Sequence, residues 1–318
     1  MADALLKDLP RDLPSFLARF GTDAQCRAYL VEVRWPDGFR CTDCGHDRAW
    51  SHHRRLIEEC RACGKQHSIL AGTIFEQTKT GLARWFLAIY LVTSSKGGIS
   101  ALELQRQLGF RSYGTAWTWL HKIRRAMVDP DRRQLDGDVE ADETLVGGRK
   151  PGKRGRGAAG KTVVAGAIEA VPSQTKKREL GRLRLATVAS AAGADLERFI
   201  TANVAERAAI TTDGWRGYKG LAAAGYDHHA IDLARSWGEA DQRLPAVHLV
   251  FGLAKRWLLG THHGAVGGKY LQRYLDEYVF RFNRRRAKSP AHGFARVLQN
   301  AVRIPPATHR AIVAAGAT

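Results

Sequence analysis

The chain has 318 residues, of which 44% are hydrophobic and 25% are charged, as in an ordinary globular protein. That balance excludes a wholly disordered, collagen-like or disulfide-rich chain, and the length predicts two or three domains. Fifty Lys and Arg residues against 31 Asp and Glu give a net charge of +19, which favours nucleic acid as the partner, although basic proteins of other kinds share this charge.

Residues 1–35 are predicted to be an N-terminal helical segment without an export signal. The first residues mix acids and prolines where a signal peptide needs an apolar core. The longest apolar stretch, 85–92, is far shorter than the ~18 to 20 residues that span a bilayer. We therefore expect a cytoplasmic protein with no membrane partner.

Residues 36–75 are predicted to form a zinc ribbon. Four of the five cysteines occur in two C-x2-C pairs: Cys41, Cys44, Cys60 and Cys63. Four thiolates at this spacing favour a closed, structural Zn²⁺ site on which folding depends. Gly45 and Gly64 follow the pairs and permit tight turns. The alternatives are a ribbon without metal or a redox site, and Cys26 is predicted to be a small buried hydrophobe.

Residues 80–130 show helical periodicity with breaks, which predicts a helix-turn-helix-like DNA-binding region. An apolar stripe starts at Leu82, Ser100 is a candidate N-cap with Glu103 three residues on, and Gly109 allows a turn. Basic residues near the end of the last helix are candidate DNA contacts: Lys122 and Arg124. The residues expected nearest the bases are Ser112, Tyr113, Thr115 and Thr118. A plain helical linker is the alternative.

Beyond residue 130 the pattern predicts an α/β domain. Alternation of apolar and polar residues predicts strands at 138–146, 162–170 and 182–190, which fit a three-stranded meander. A helix at 195–204 and a short buried strand at 209–212 follow, and the rest to residue 299 is predicted to be chiefly helical.

A basic, glycine-rich loop separates the first two of these strands. Residues 149–161 hold six cations and four glycines, which suits contact with phosphates. Its candidate DNA contacts are Arg149, Lys150, Lys153, Arg154 and Arg156. A solvated hairpin tip is the alternative.

Two aspartates lie where an isolated charge is costly. Asp142 is in the middle of the first predicted strand, and Asp213 is at the end of the fourth. An unpaired buried carboxylate is unfavourable, so Asp142 needs a cation. Carboxylates on neighbouring strands can hold two divalent ions ~3.5 to 4 Å apart for in-line attack on a phosphodiester. The alternative is two capping or turn aspartates.

Several motifs in order resemble one protein family. They are CTDCG to CRACG, ADETLVGGRKPGKRG, TTDGWRGY, AKRWLLGTHHGAV and YLDEYVFRFNRR, spread from about residue 13 to about residue 299. The chain resembles bacterial insertion-sequence transposases of the DDE, ribonuclease-H-like superfamily, in the group with an N-terminal zinc ribbon and an ISXO-type transposase domain. The resemblance implies a ribonuclease-H-like mixed sheet with flanking helices at 135–300, followed by a tail at 301–318.

The resemblance also implies the cofactors and ligands. Asp142 and Asp213 would hold two Mg²⁺ or Mn²⁺ ions. The third metal position of similar proteins corresponds to His248 here, where other DDE families carry glutamate, with Lys255 two helical turns further on. Residues seven apart share a helix face, so both can face the site. The reserve acids are Glu140, Glu239 and Asp241, and a packed histidine is the alternative for His248.

The motif near the end places Glu277, Arg281 and Arg284 on one helix face. Their spacing alone predicts a row of exposed ion pairs along the helix, which would stabilise the helix only slightly. The resemblance implies that Glu277 supports the site and that both arginines hold DNA near it, as does Lys255.

The resemblance thus predicts a nucleoid-associated bacterial transposase that binds terminal inverted repeats and then cuts and joins strands. Its partners would be double-stranded DNA, both the element ends and the target, and a second copy in a homodimer or larger complex on DNA. The alternatives are a non-catalytic DNA-binding protein derived from a transposase, and a nuclease without strand transfer.

Overall fold

The computed structural model describes residues 9–148, 160–171, 179–231, 244–264, 266–287 and 289–315. The chain divides into two compact units. The first unit comprises residues 1–130 and 286–318, and the second comprises residues 131–285. The last described helices therefore belong to the first unit.

The first unit combines a helical core with a small three-stranded sheet. Its helices are α1 (Leu13–Phe20), α2 (Asp23–Arg34), α3 (Leu82–Ser94), α4 (Ala101–Leu108), α5 (Tyr113–Ala126), α9 (Ala291–Ala301) and α10 (His309–Ala315). The sheet contains β1 (Ala49–His52), β2 (Ile57–Cys60) and β3 (Gln66–Ser68), all antiparallel.

An aromatic cluster explains why α9 belongs to this unit. Phe294 of α9 lies 5.4 Å from the rings of both Phe16 and Phe20 and 5.7 Å from that of Phe86. All four side chains are buried. Aromatic rings at these separations attract one another beyond the area they bury, so the cluster ties α9 to α1 and α3.

The structure has a helix, a turn and a helix where the pattern predicts them. The Ser100 hydroxyl accepts the Glu103 N–H at 3.1 Å and so caps α4. Gly109 ends α4 with φ of +61°, in the left-handed region that favours glycine. Trp119 of α5 stacks on Trp85 of α3 at 3.5 Å between ring centroids, which joins α5 to the helical core.

The second unit is a mixed α/β fold, as predicted. Its strands are β4 (Asp138–Val146), β5 (Thr162–Val171), β6 (Glu179–Val188), β7 (Ala209–Asp213) and β8 (Asp227–Ile231). The sheet order is β6-β5-β4-β7-β8, with an antiparallel meander of β4 to β6 and with β7 and β8 parallel to β4. This topology is consistent with a ribonuclease-H-like sheet. The short edge strand β8 was not predicted, because its DHHAI sequence is polar and mostly exposed.

Helices cover both faces of this sheet. Leu196, Phe199 and Ile200 of α6 (Gly193–Asn203) pack on one face. Two longer helices, α7 (Pro245–His262) and α8 (Gly268–Asn283), pack on the other. A hydrophobic core lies on each face of the sheet. Alternate residues of β5 pack into one core or the other, because successive side chains of a strand point to opposite faces. Gly166 of β5 lets α7 approach, since a Cβ there would lie 2.5 Å from the Phe251 ring.

Helix α8 also covers the edge of the sheet at β6. The Thr187 N–H donates to Gln272 Oε1 and the Leu183 N–H donates to Asn283 Oδ1, both at 2.8 Å. These side chains satisfy backbone groups that an open edge would expose to other strands. Among the described residues, no helix is both long and apolar enough to span a membrane.

Candidate active site and zinc centre

Three alternate residues of β4 face helix α7. Glu140 is 1% exposed, and its Oε2 accepts the N–H groups of Ala246 and Val247 at 2.8 and 3.1 Å. These amides are in the first turn of α7, where backbone N–H groups lack partners inside the helix and favour a negative charge. Glu140 therefore anchors the start of α7 to the strand.

The next two residues on this face contact the side chains that the resemblance singled out. Asp142 is 9% exposed, and its Oδ2 lies 3.0 Å from His248 Nε2. Its Oδ1 accepts the Glu143 N–H at 2.8 Å. Further along, Lys255 donates from Nζ to the Thr144 hydroxyl at 2.6 Å. One face of β4 thus meets one face of α7 at three successive points.

Asp213 ends the neighbouring strand at the level of Asp142. Glu140 pairs with Thr211 in the parallel ladder between β4 and β7, and each aspartate is two residues beyond that pair. The two aspartates therefore occupy equivalent positions on adjacent strands. Asp213 Oδ1 also accepts the Trp215 N–H at 3.2 Å, which fixes the start of the loop that follows.

A buried tyrosine experiences the charges of the site. Tyr218 donates its hydroxyl to Glu143 Oε2 at 3.0 Å. Burial raises the pKa of Tyr218 well above its usual value, and the negative charges of Glu143, Asp142 and Asp213 raise it further. A concentration of acidic charge at this point of the sheet is what a cation would neutralise.

Lys255 supplies a positive charge at the same place. Burial lowers the pKa of Lys255, and nearby Lys161 lowers it further, whereas Asp142 opposes both effects. The charges of Lys161 and Asp142 therefore both act on the ammonium group of Lys255.

The residues that could hold a divalent cation at this end of the sheet are Asp142, Asp213 and His248. Two carboxylates and an imidazole favour Mn²⁺ relative to an all-oxygen site. The side chains of Asp142, Asp213 and His248 do not, however, form a compact group in the described part of the chain: the one set of three or more ligand residues whose atoms all lie within 4.8 Å is the cysteine cluster.

The cysteine cluster has the geometry of a closed zinc site. Its members are Cys41, Cys44, Cys60 and Cys63. Gly45 and Gly64, which follow the two pairs, both have φ of +73°, and each N–H donates to the carbonyl of the first cysteine of its pair at 3.0 Å. The turns expected from the glycines are therefore present, and the cluster supports a structural Zn²⁺.

Local hydrogen bonds favour the thiolate form of one ligand. Desolvation opposes ionisation of Cys60, but the N–H groups of Cys63 and Ala62 donate to its sulfur, and its pKa falls to about 7. The strand that ends at Cys60 is held to α2 by a buried ion pair between Arg27 and Glu58. The ribbon is thus attached to the helical part of its unit.

Comparison with known families identifies both parts of the chain. Residues 134–283 match the ISXO2-like transposase domain, and residues 21–66 match the transposase zinc-ribbon domain. The chain belongs to the insertion-sequence transposases of the ISXO2-like group. It is similar to an uncharacterized protein in transposable element ISH50 of Halobacterium salinarum, with 23% identity over 274 residues that cover 82% of this chain and 91% of that protein. No solved structure gives a significant match.

The side chains predicted to contact DNA have different environments. Arg149, Lys150, Lys153, Arg154 and Arg156 lie outside the described residues, as do Glu239 and Asp241. Lys122 is half-buried and donates to the Ile74 carbonyl at 3.2 Å. Arg124 is 1% exposed, which corrects its assignment as a DNA contact. It lies four residues after Leu120, on the buried face of α5.

The charges of Glu277 and Arg281 in α8 form a buried pair rather than part of an exposed row of ion pairs. Glu277 is 0% exposed, and Arg281 donates to its Oε1 from two nitrogens at 3.0 and 2.7 Å. The guanidinium of Arg284 lies 3.9 Å from the centre of the Phe280 ring. Both arginines therefore make contacts within α8, and Glu277 supports the helix that covers the sheet edge.

Sequence reasoning missed two relationships of the transposase domain. It placed Glu140 among the reserve metal ligands, whereas the carboxylate anchors α7. It assigned Tyr218 to the core but did not single out Glu143, and the hydrogen bond between the two joins β4 to the loop after Asp213. The signal for both was the density of acids at 140–143, because buried acids require partners.

Proposed function

We propose that the protein is the active transposase of an insertion sequence, which binds the terminal inverted repeats of its element and then cuts and joins DNA strands. Membership of the family supports a transposase-related function. The observation that carries the catalytic part is the position of Asp142 and Asp213 at the same level of adjacent parallel strands, facing a helix that brings His248 and Lys255 to the same place.

In this proposal Asp142 and Asp213 hold two Mg²⁺ or Mn²⁺ ions, with His248 as the third ligand. When bound, such ions activate the attacking oxygen and stabilise the charge on the leaving oxygen. The carboxylates fix the position of the phosphodiester because they are attached to a rigid sheet. Burial of Asp142 keeps water from screening its charge.

The other residues orient the reacting groups. His248 binds as a neutral imidazole with Nε2 toward the carboxylate of Asp142. Lys255, held by the Thr144 hydroxyl, contacts the phosphate. Water attacks the phosphodiester at the element end and releases a 3′-hydroxyl. That hydroxyl then attacks a phosphodiester of the target DNA, which forms the new bond and releases a 3′-hydroxyl of the target strand. No covalent bond to the protein is needed in either step.

The first unit would recognise the element ends. It contains the zinc ribbon and the pair of helices α4 and α5, and Tyr113 at the start of α5 is 53% exposed. The net charge of +19 favours DNA. Two ends must come together before joining, so we propose a homodimer or larger complex on DNA.

One observation favours a second candidate, a non-catalytic DNA-binding protein. Both oxygens of Asp142 already have partners, since Oδ1 accepts the Glu143 N–H and Oδ2 lies against His248. A buried carboxylate satisfied in this way has no need of a metal ion. The two candidates differ in whether DNA is cut.

Asp142→Asn separates the candidates when cleavage and end binding are both measured on a labelled duplex that carries the element's terminal repeat. The catalytic proposal predicts wild-type binding without cleavage. Asp138→Asn, at the exposed start of the same strand, is the matched control and should cut normally. Specific binding without cleavage by the wild-type chain, with either metal, would establish the non-catalytic protein instead.

A further inference from the structure

A cleft of about 820 Å³ opens in the second unit near the ends of β4 and β7. Its walls come from the end of β4, the start of β5, the loop before α6 and the segment that follows Asp213. Leu145 in the wall comes directly after Thr144, the partner of Lys255. Trp215, also in the wall, donates its backbone N–H to Asp213 Oδ1. The cleft and the candidate active site therefore share two chain segments.

The lining combines two kinds of chemistry. Leu145, Val163 and the ring of Trp215 provide apolar and aromatic surface. The cationic part of the lining consists of Lys161, Arg216 and Lys219. Phosphate alone would require only the cations, whereas a purely apolar ligand would leave the cations unused. A nucleotide has both an apolar base and a charged phosphate, and clefts of ~300 to 1,000 Å³ are of the size that binds small organic groups.

Trp215 is held rigidly in this wall. Its Nε1–H donates to the Ala191 carbonyl at 2.9 Å. Gly217 is required by the close approach of the ring, since a Cβ there would lie 2.7 Å from Trp215 Nε1. The Arg216 guanidinium carbon lies 5.3 Å from the ring centroid. A fixed indole with a planar cation beside it is a surface on which nucleobases stack.

The start of α6 adds to the attraction for phosphate. Ala192 is its N-cap and offers no side-chain acceptor, and both Ala192 and Gly193 line the cleft. The first backbone N–H groups of a helix favour an anion. Asp195, the acid in this first turn, accepts the Ser190 hydroxyl at 2.7 Å.

We propose that this cleft holds one unpaired nucleotide of the DNA strand next to the scissile phosphate. The base lies against Trp215, and the phosphates lie near Lys161, Arg216 and Lys219. The inference rests on the proposed function, which makes DNA the ligand. It adds that the strand must be locally unpaired at the site, because a base inside a duplex cannot enter a cleft.

The test compares two labelled probes on the full-length protein by fluorescence anisotropy: a thymidine tetranucleotide and a backbone of equal length with abasic sugars. The wild type should bind the thymidine probe about ten-fold more tightly, because base stacking contributes only to that probe. Trp215→Ala should remove most of this preference, and Trp215→Phe should keep part of it. Lys219→Ala should weaken both probes equally, whereas Arg198→Ala, an exposed cation outside the cleft, should change neither.

Photo-crosslinking of a tetranucleotide that contains 5-iodo-deoxyuridine locates the base on the wild-type chain without any substitution. The expected crosslinks lie within residues 215–219. Equal affinity for the two probes, or crosslinks confined to the first unit, would overturn the cleft proposal and leave strand cleavage untouched. Asp142→Asn should keep the base preference, so a failure of catalysis is distinguishable from a failure of the cleft.

Discussion

His248 Nε2 lies 3.0 Å from Asp142 Oδ2, although the two residues are 106 positions apart in the chain. The contact joins the central strand of the sheet to the helix that covers it. An imidazole forms a hydrogen bond with a neighbouring carboxylate where a second carboxylate would be repelled, and in the proposed active site it would also change the preferred metal.

The first prediction concerns that metal preference. His248→Glu adds a carboxylate to the site, and an all-oxygen donor set favours Mg²⁺ relative to Mn²⁺. We expect the ratio of cleavage rates in Mn²⁺ and Mg²⁺ to fall by about ten-fold, which corresponds to ~1.4 kcal/mol. Parallel titrations of both metals measure the ratio. An unchanged ratio would remove His248 from the ligand set.

The second prediction concerns Glu140 as the anchor of α7. Glu140→Ala removes the acceptor of two backbone N–H groups in a buried place, so the free energy of unfolding should fall by about 2 to 3 kcal/mol. Glu140→Gln keeps an acceptor oxygen and should cost about half as much. Urea unfolding followed by tryptophan fluorescence measures both changes. Equal stability of Glu140→Ala and the wild type would show that the contact does not hold the helix.

The third prediction concerns the zinc centre. Cys60→Ser should lose the metal and unfold the ribbon, because the fold of such a small unit depends on its ion. Cys26→Ala is the matched control, since Cys26 lies outside the cluster and donates to the Phe20 carbonyl. Elemental analysis should give one zinc per chain for the wild type and the control. Bound zinc in Cys60→Ser at the wild-type ratio would contradict the four-thiolate site.

The fourth prediction concerns the buried pair of Glu277 and Arg281. Glu277→Ala leaves the guanidinium in a largely buried place without its carboxylate, and the free energy of unfolding should fall by about 3 to 5 kcal/mol. Arg198→Ala breaks an exposed pair with Asp195 and should cost at most about 1 kcal/mol. The same urea experiment compares them. A small loss of stability for Glu277→Ala would show that the pair does little to stabilise the fold. DNA contact would then be the remaining role of this motif.

Local patterns predicted much of this fold. The alternation at 138–146 located β4, and the cysteine spacing located the zinc centre, because both signals depend on neighbours in sequence. Arg124 was misassigned although its signal was local: it is four residues from Leu120 and so shares the apolar face of α5. The place of Arg124 on the helix, rather than its charge, decides its environment.

Relationships between distant segments could not be predicted in the same way. The assignment of α9 to the first unit depends on rings more than 200 residues apart in sequence, such as those of Phe86 and Phe294. The role of Glu140 depends on where α7 begins in space, and no periodicity encodes that position. The resemblance named the residues of the candidate site. Their contacts with one another depend on the fold and could not be predicted from the sequence.

The most direct test of the central claim is strand cleavage and joining on a duplex with the element's own terminal repeat, in Mg²⁺ and Mn²⁺ side by side. The wild type should give metal-dependent joined products, Asp142→Asn should give none, and His248→Ala should lose joining with either metal. Joined products from Asp142→Asn at the wild-type rate would contradict the assignment of this carboxylate to the active site, and with it the proposed function of the β4 and α7 contact.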